Sequence, residues 1–267
     1  MNKGIKIAIG GKGGVGKTTV CAVWAKLFAE DGLDVLAVDA DPDTNLCSAF
    51  GITSKKSPEP LIKMKQLIAE RTGTGKDAVA AYFRLNPKVS DLPEKYSIEA
   101  NGLKLLVLGG ITQAATGCAC AESAFLKALL TCTILHRNEA VIIDLDAGVE
   151  FMGRASVQGI DALVVVVEPG TRSIETALNI SQMAEELGIK NVAVIANKIT
   201  EAPQIDMIKS QLKDIPLLAC LDYSKPVRQA DIEQKAVFNA DAKLVSALKE
   251  AKVNLLKLIN PCPQQHE

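Results

Sequence analysis

One glycine-rich segment constrains the fold of this chain more than any other part of the sequence. The segment is Gly11-Lys12-Gly13-Gly14-Val15-Gly16-Lys17-Thr18. It matches the pattern G-x-x-x-x-G-K-[ST] and stands between a short apolar run and a helical pattern. In that context the glycines let successive backbone N–H groups converge on phosphate oxygens at a helix N-terminus, whose dipole favours anions. The segment therefore predicts a phosphate-binding loop that joins a strand to a helix.

Short apolar runs alternate with helical patterns along most of the chain. The predicted strands are Ile5–Ile9, Val35–Asp39, Leu103–Leu108, Ala140–Asp144, Ala162–Val167, Val192–Asn197 and Leu217–Leu221. The helices predicted between them are Thr18–Asp31, Glu122–Leu135, Ser173–Gly188 and Ile205–Lys213. Continuous runs of Val, Ile and Leu are typical of parallel strands that are covered on both faces. The alternation therefore predicts an α/β fold with a doubly wound, mostly parallel sheet.

Residues 51–100 interrupt this alternation. Prolines break the segment, and two helix candidates remain in it, Leu61–Glu70 and Lys76–Leu85. We interpret the segment as an insertion within a single domain that spans residues 1–267.

Two further patterns predict elements at the margins of the sheet. Tyr96–Ala100 alternates in polarity and is followed by Asn101-Gly102, which predicts a hairpin and one antiparallel edge strand. The last predicted helix, Asp241–Ile259, carries an apolar stripe. The stripe consists of Leu244, Leu248, Ala251, Leu255 and Leu258. It suits packing on the sheet or lying on a membrane surface, and the mixed polarity of the opposite face favours packing.

Charge balance and hydropathy argue against several classes of function. The 267 residues include 30 basic and 31 acidic side chains with a net charge of −1, so no basic field exists and no nucleic-acid partner is expected. The longest wholly apolar run, Ala162–Val167, is far shorter than the roughly 18 residues of a membrane span. The first residues show no signal-peptide pattern. We therefore expect a cytoplasmic protein without stable membrane anchoring.

Charged residues at the ends of the predicted strands indicate the chemistry of the site. Lys17 is placed to bind the β- and γ-phosphates of ATP, and the Thr18 hydroxyl to bind Mg²⁺. Asp39 and Asp41 end the second strand, and Asp144 ends the fourth. Such carboxylates either cap the strand ends or orient Mg²⁺-bound and attacking waters, because phosphoryl transfer depends mainly on positioning. We therefore predict a Mg-ATP site that hydrolyses ATP to ADP and phosphate.

The run from Lys12 to Thr19 resembles the deviant Walker A motif of the MinD, ParA and nitrogenase iron protein group. The resemblance implies that Lys12 reaches the partner's phosphates in a nucleotide-dependent homodimer and is catalytic together with Lys17 and Asp41. Asp41 is implied to orient the attacking water, and Asp39 to lie nearer to Mg²⁺. The implied nucleotide-binding residues are Gly11, Lys12, Gly13, Gly14, Val15, Gly16, Lys17, Thr18, Thr19, Asn197 and Lys198.

Base recognition is implied at the ends of two later strands. Asn197-Lys198 ends the sixth predicted strand, where the resembled group reads adenine with the Asn amide. An Asn at this place also suits a loop cap. Further base contacts are expected after the seventh strand, near Asp222, where this chain lacks the proline of the group.

Cys118 and Cys120 are separated by one residue, in a segment that follows Gly117 and precedes a predicted helix. The chain has seven cysteines and is too large to need disulfides, so reduced thiols are expected. Two thiolates supply half of a four-coordinate site for Ni or Zn, and a second pair across a two-fold axis completes it. Packing cysteines and a reversible disulfide are the alternatives.

The thiol pair and the deviant motif together resemble the CooC-type ATPases, which mature nickel carbon monoxide dehydrogenase or acetyl-CoA synthase. Other shared segments are Pro60–Lys65, Asn86–Val89, Ser123–Leu126 and Ala147–Glu150, whereas Phe151 stands where that family has His. The resemblance implies a Mg-ATP-dependent homodimeric metallochaperone whose partner is the apo nickel enzyme.

Two functions of other classes compete with this interpretation. An iron–sulfur electron donor of the nitrogenase iron protein type needs a cluster cysteine after the fourth strand, and residues 146–156 contain none. A positioning ATPase like MinD or ParA needs a membrane helix or a DNA-binding surface, and the sequence shows neither pattern. The metallochaperone is therefore the favoured expectation.

Overall fold

The computed structural model describes residues 4–74, 83–110, 121–132, 138–146 and 159–260. These residues form one eight-stranded sheet in the order β3-β4-β2-β5-β1-β6-β7-β8. Its strands are β1 (Ile5–Gly10), β2 (Asp34–Ala40), β3 (Ile98–Ala100), β4 (Leu103–Val107), β5 (Glu139–Leu145), β6 (Ala162–Val167), β7 (Val192–Ile199) and β8 (Leu217–Asp222). Neighbouring strands are parallel except β3 and β4, which are antiparallel. The predicted α/β class and antiparallel edge strand are confirmed.

Helices cover both faces of the sheet. They are α1 (Lys17–Glu30), α2 (Leu46–Ala49), α3 (Lys65–Thr72), α4 (Leu92–Tyr96), α5 (Ala121–Cys132), α6 (Thr171–Glu186), α7 (Ala202–Leu212), α8 (Lys225–Ile232) and α9 (Ala242–Ile259). One core joins Ile5, Ile7 and Ile9 of β1 to α1 and α9. The other joins Ala8 of β1 to α3, α5, α6 and α7. Burial on both faces explains why the central strands are apolar without alternation.

The C-terminal helix α9 packs on the sheet and on α1, as its stripe predicted. Leu248 and Leu255 are fully buried, and the Trp24 indole of α1 donates a hydrogen bond of 2.9 Å to the Leu248 carbonyl oxygen. Asp241 caps the helix, because its carboxylate accepts from the backbone N–H groups of Lys243 and Leu244. No helix in the described ranges is long and apolar enough to cross a membrane.

Several helix boundaries differ from the predicted ones. Leu61–Glu70 is not one helix: a 3-10 turn covers Leu61–Lys63, and α3 starts at Lys65. The predicted helix Ile205–Lys213 begins earlier, at Ala202, because the Glu201 and Gln204 side chains form a capping box. Residues 76–82 of the predicted helix Lys76–Leu85 lie outside the described residues. The assignment of residues 51–100 as an insertion in one domain stays a prediction.

Helices α4 and α8 were not predicted. Each has a proline in its first turn, Pro93 in α4 and Pro226 in α8. Proline breaks a helix interior but suits the first turn, where its missing N–H would have no partner within the helix. Pro93 is one of the prolines that predict an interruption of residues 51–100, although it marks a helix start, and no prediction rested on Pro226.

Candidate nucleotide-binding site

The glycine-rich loop lies at the carboxyl edge of the sheet, between β1 and α1. Gly11 has φ +138°, and a Cβ on it would lie 2.3 Å from the Val166 carbonyl oxygen. Gly16 has φ +103°, and a Cβ there would lie 2.3 Å from Nδ2 of Asn197. Both positions therefore require glycine, because a side chain would be strained and would also overlap its neighbour. The loop packs directly on the ends of β6 and β7.

Asn197 and Lys198, near the end of β7, donate side-chain hydrogen bonds to the backbone of this loop. The Asn197 amide Nδ2 donates a hydrogen bond of 2.8 Å to the Val15 carbonyl oxygen. The Lys198 Nζ donates one of 2.5 Å to the Gly14 carbonyl oxygen. The structure thus places both residues at the loop, and the reading of adenine by Asn197 stays a prediction.

The predicted catalytic residues come together around the loop. The Lys17 ammonium is buried and lies 3.9 Å from the Asp41 carboxylate and 3.5 Å from the Lys12 carbonyl oxygen. Lys12 itself is exposed, while Thr18 and Thr19 are partly buried in the first turn of α1. The loop therefore carries one buried lysine, Lys17, and one exposed lysine, Lys12.

Asp39 and Asp144 lie side by side at the ends of β2 and β5, where they are paired in the sheet register. Both are fully buried. The Asp39 carboxylate accepts hydrogen bonds from the backbone N–H groups of Leu46 at 2.9 Å and Asp41 at 3.3 Å. Neither carboxylate oxygen of Asp144 has a hydrogen-bond partner among the described residues. A buried, charged carboxylate without hydrogen bonds raises the free energy of the folded state. The arrangement therefore indicates a site for a cation.

Burial dominates the titration of these carboxyl groups. It raises the pKa of Asp39 to about 7, and the hydrogen bonds from Leu46 and Asp41 oppose it only partly. Burial and then the neighbouring Asp39 charge raise the pKa of Asp144 to about 8, although attraction to the Thr18 hydroxyl and the Lys17 ammonium lowers it. The pKa of Asp41 is raised by its partial burial. Each of these shifts disfavours a carboxylate that no cation neutralises.

The residues present fit Mg²⁺. This ion is held by one or two carboxylates together with phosphate oxygens and waters, and the orphaned oxygens of Asp144 lie beside Asp39 at the start of α1. No cluster of three or more His, Cys, Asp or Glu side chains arranged for a metal occurs in the described ranges. Cys118 and Cys120 lie outside those ranges, so the thiolate site stays a prediction.

Two features beside the site were missed in the sequence. Glu168 follows β6, and its carboxylate lies 3.4 Å from the Lys198 ammonium. Its position directly after a buried strand, which it shares with other site residues, was a usable signal. Gly110 packs against Pro42, next to Asp41, so closely that a Cβ would lie 2.3 Å from the Pro42 Cδ. A single sequence gives no sign of that contact.

The raised pKa values predict how stability depends on pH in the absence of metal and nucleotide. From about pH 4 up to pH 7 at Asp39, and up to pH 8 at Asp144, the folded chain holds a proton that the unfolded chain has released. The free energy of unfolding therefore falls as pH rises through this range, by up to about 1.4 kcal/mol per pH unit for each group. The melting temperature in EDTA between pH 5 and 9 measures this slope.

Asp144→Asn removes one of the two proton sites, so we expect a shallower slope in that variant. Asp206→Asn is the matched control, because Asp206 is exposed on α7. An unchanged slope in Asp144→Asn would contradict the assignment of the pH dependence to this pair.

Comparison with known proteins identifies the family. The model of the CobQ/CobB/MinD/ParA nucleotide binding domain matches residues 6–237. The carbon monoxide dehydrogenase accessory protein CooC of Rhodospirillum rubrum is 39% identical over 229 residues, which are 85% of this chain and 87% of that protein. An uncharacterized ATP-binding protein of Methanocaldococcus jannaschii is 37% identical over 259 residues, which are 96% of this chain and 99% of that protein.

Solved structures agree in fold. The septum site-determining protein MinD of Pyrococcus horikoshii, complexed with Mg-ADP, matches with a TM-score of 0.67 and 18% identity, over 96% of this chain and 98% of that one. The predicted resemblance and the ATPase class are thereby confirmed. The chain belongs to the CobQ/CobB/MinD/ParA nucleotide-binding family, in which it is a CooC-type ATPase.

Proposed function

We propose that this chain is a Mg-ATP-dependent homodimeric metallochaperone that assists nickel insertion into carbon monoxide dehydrogenase or acetyl-CoA synthase. The observation that carries the proposal is the grouping of Lys17 and Asp41 beside the buried Asp39 and Asp144. The similarity to a carbon monoxide dehydrogenase accessory protein over most of both chains supports the client.

Each side chain of this group has a separate role in the proposed hydrolysis of ATP. The loop N–H groups and Lys17 bind the phosphates, while Thr18, Asp39 and Asp144 are the residues that would hold Mg²⁺. When bound, Mg²⁺ neutralises charge on the phosphates. Asp41 orients a water whose oxygen bonds to the γ-phosphorus as the bond from that phosphorus to the β-phosphate oxygen breaks. ADP and phosphate are released, with one water proton kept by the phosphate and the other passed to solvent. The partial burial and raised pKa of Asp41 suit it to accept a hydrogen bond from that water.

Lys17→Ala and Asp41→Ala separate binding from turnover. Lys17→Ala removes the ammonium that binds the phosphates, so we expect ATP binding to be lost. Asp41→Ala is expected to keep binding and to lower turnover by about a hundredfold or more, the usual scale for a positioned acid or base. Calorimetric binding of ATP and phosphate release measure the two effects. Asp43→Asn is the control, because Asp43 contributes a backbone N–H to Asp41; normal turnover in Asp41→Ala would refute the role of Asp41.

Dimerisation is proposed from the exposed ammonium of Lys12. Lys17 lies close to Asp41 and to the carbonyl oxygen of Lys12 in its own chain, whereas Lys12 is exposed and can contact the phosphates of a second copy. A two-fold dimer formed in this way brings two copies of Cys118 and Cys120 together. Four thiolates complete a site for one Ni²⁺ or Zn²⁺, which one chain fills only to half.

The residues that precede the Cys118–Cys120 segment contact the segment Asp39–Pro42. The backbone N–H groups of Leu108 and Gly109 both donate to the Asp39 carbonyl oxygen, at 2.8 Å and 3.1 Å. The Gly110 backbone then packs on Pro42, whose N would lie 2.6 Å from a Cβ at Gly110. Residues 111–120, which include both cysteines, follow directly. This contact supports a coupling in which movement of Asp41 on hydrolysis displaces the chain that leads to Cys118.

The metal site predicts a stoichiometry of one Ni²⁺ or Zn²⁺ per two chains in the presence of a non-hydrolysable ATP analogue. Cys118→Ala and Cys120→Ala are each expected to abolish tight binding, because two thiols are lost from each dimer. Equilibrium dialysis with light scattering measures both quantities, and Cys220→Ala is the control at a half-buried cysteine. Full stoichiometry in either single variant would refute the shared site. A visible iron–sulfur chromophore would instead favour the electron-donor class.

Gly110→Ala tests the coupling. The new Cβ must displace Pro42, so we expect turnover to fall about tenfold or more while ATP binding persists, and metal affinity to lose its dependence on nucleotide. Gly102→Ala is the matched control, since nothing lies within 4 Å of a Cβ there, although its φ of +83° makes some loss of stability expected. Steady-state turnover and metal titrations with and without nucleotide measure the effects. Unchanged values for both would show that the contact carries no coupling.

A further inference from the structure

The end of β7 holds two consecutive peptide groups of the phosphate-binding loop. Asn197 bonds the Val15 carbonyl oxygen and Lys198 bonds the Gly14 carbonyl oxygen, at 2.8 Å and 2.5 Å. In a trans peptide the C=O and the following N–H point in opposite directions. With both carbonyls held towards β7, the N–H groups of Val15 and Gly16 are directed away from β7. The Val15 N–H donates a long hydrogen bond of 3.5 Å to the Lys12 carbonyl oxygen within the loop.

Lys198 has a strained backbone that aims its side chain at the loop. Its φ is +59°, in the left-handed region that non-glycine residues rarely adopt. Such strain persists where the surrounding structure enforces it, and it is concentrated at functional sites. The Lys198 ammonium contacts the Gly14 carbonyl oxygen on one side and the Glu168 carboxylate, at 3.4 Å, on the other.

Glu168 is itself held in place. It is the first residue after β6, and its backbone N–H donates a hydrogen bond of 3.1 Å to the Ser173 hydroxyl in the first turn of α6. The carboxylate therefore stands on a fixed strand end, opposite the end of β7. Its ion pair with Lys198 is partly exposed, 37% and 38% for the two side chains, so the pair is weak by itself. The hydrogen bond from the ammonium to the Gly14 carbonyl oxygen is charge-assisted and shorter than the ion pair, 2.5 Å against 3.4 Å.

We propose that Glu168 is a positioning residue, which with Lys198 forms a charged latch that sets the nucleotide affinity of the loop. In this latch Glu168 orients the ammonium, and the ammonium holds the Gly14 peptide so that the next N–H groups face the phosphates. Neither side chain has to touch the nucleotide. The inference rests on the nucleotide site of the proposed function.

Lys198→Gly distinguishes a latch from a residue needed only for folding. Glycine adopts a positive φ without strain, so we expect the melting temperature without nucleotide to equal or exceed that of the unaltered chain. Affinity for ATP and ADP is expected to fall about tenfold, because the charge-assisted bond to the loop is lost. A purely structural role predicts the reverse, a lower melting temperature and unchanged affinity.

Lys213→Gly is the matched control. Lys213 also has a positive φ, +54°, but it ends α7 at the opposite edge of the sheet from the loop. Glycine there is expected to leave nucleotide affinity unchanged. Calorimetric titration with Mg-ATP and Mg-ADP, together with thermal melts of the same samples, provides both measurements.

Glu168→Gln tests the positioning role. It is expected to weaken nucleotide binding two- to threefold in the unaltered chain, in keeping with a partly exposed ion pair, and to have no further effect in the Lys198→Gly background. An effect of Glu168→Gln that persists in that background, or unaltered affinity in Lys198→Gly, would overturn the latch alone. Absence of nucleotide binding by the unaltered chain would overturn the proposed function and the latch together.

Discussion

The burial of two adjacent carboxylates is the constraint on which the site depends. Asp39 and Asp144 are fully buried at paired positions of β2 and β5, and among the described residues the Thr18 hydroxyl and the Lys17 ammonium attract the Asp144 carboxylate without a hydrogen bond of good geometry. A charged carboxylate in such surroundings costs several kcal/mol unless a cation or a proton neutralises it. The pKa values of about 7 for Asp39 and 8 for Asp144 show that protons neutralise these carboxylates when no cation is bound. A divalent cation would neutralise them instead. The carboxyl edge of the sheet at Asp39 and Asp144 is therefore suited to bind a cation.

The strand order gives the phosphate-binding loop two different walls. The loop follows β1, which lies between β5 and β6 in the sheet. On the β5 side lie the buried carboxylates, and on the β6 side lie Glu168, Asn197 and Lys198. The first wall attracts a cation, whereas the second holds the loop backbone through amide and ammonium donors. In open α/β sheets ligands bind at the carboxyl edge, where the strand order changes direction, and this site lies at such a point.

Local patterns predicted the parts of this arrangement that depend on neighbours in the chain. The loop motif located Lys17 and Thr18, and the ends of apolar runs located Asp39 and Asp144, because a polar residue that ends a buried parallel strand lies at the carboxyl edge whatever the strand order. The start of α4 was missed because proline interrupts a helix interior but suits a first turn, and Pro93 was assigned the first meaning. Side chains at β-strand ends that pair with each other were not predictable, since the alternation of strands and helices does not determine which strand ends become neighbours.

Asp39 shows why such non-local contacts matter for function. Its carboxylate faces Asp144 and the backbone of its own loop, while its carbonyl oxygen accepts hydrogen bonds from Leu108 and Gly109 of another strand end. A change at the carboxylate and a change in the path of residues 109–110 are therefore linked through one rigid residue. Because Gly110 also packs on Pro42, the chain after β4 is in contact with the residue next to Asp41. These contacts connect the end of β4 with the segment that carries Asp39 and Asp41, and the proposed coupling of ATP hydrolysis to metal transfer depends on that connection.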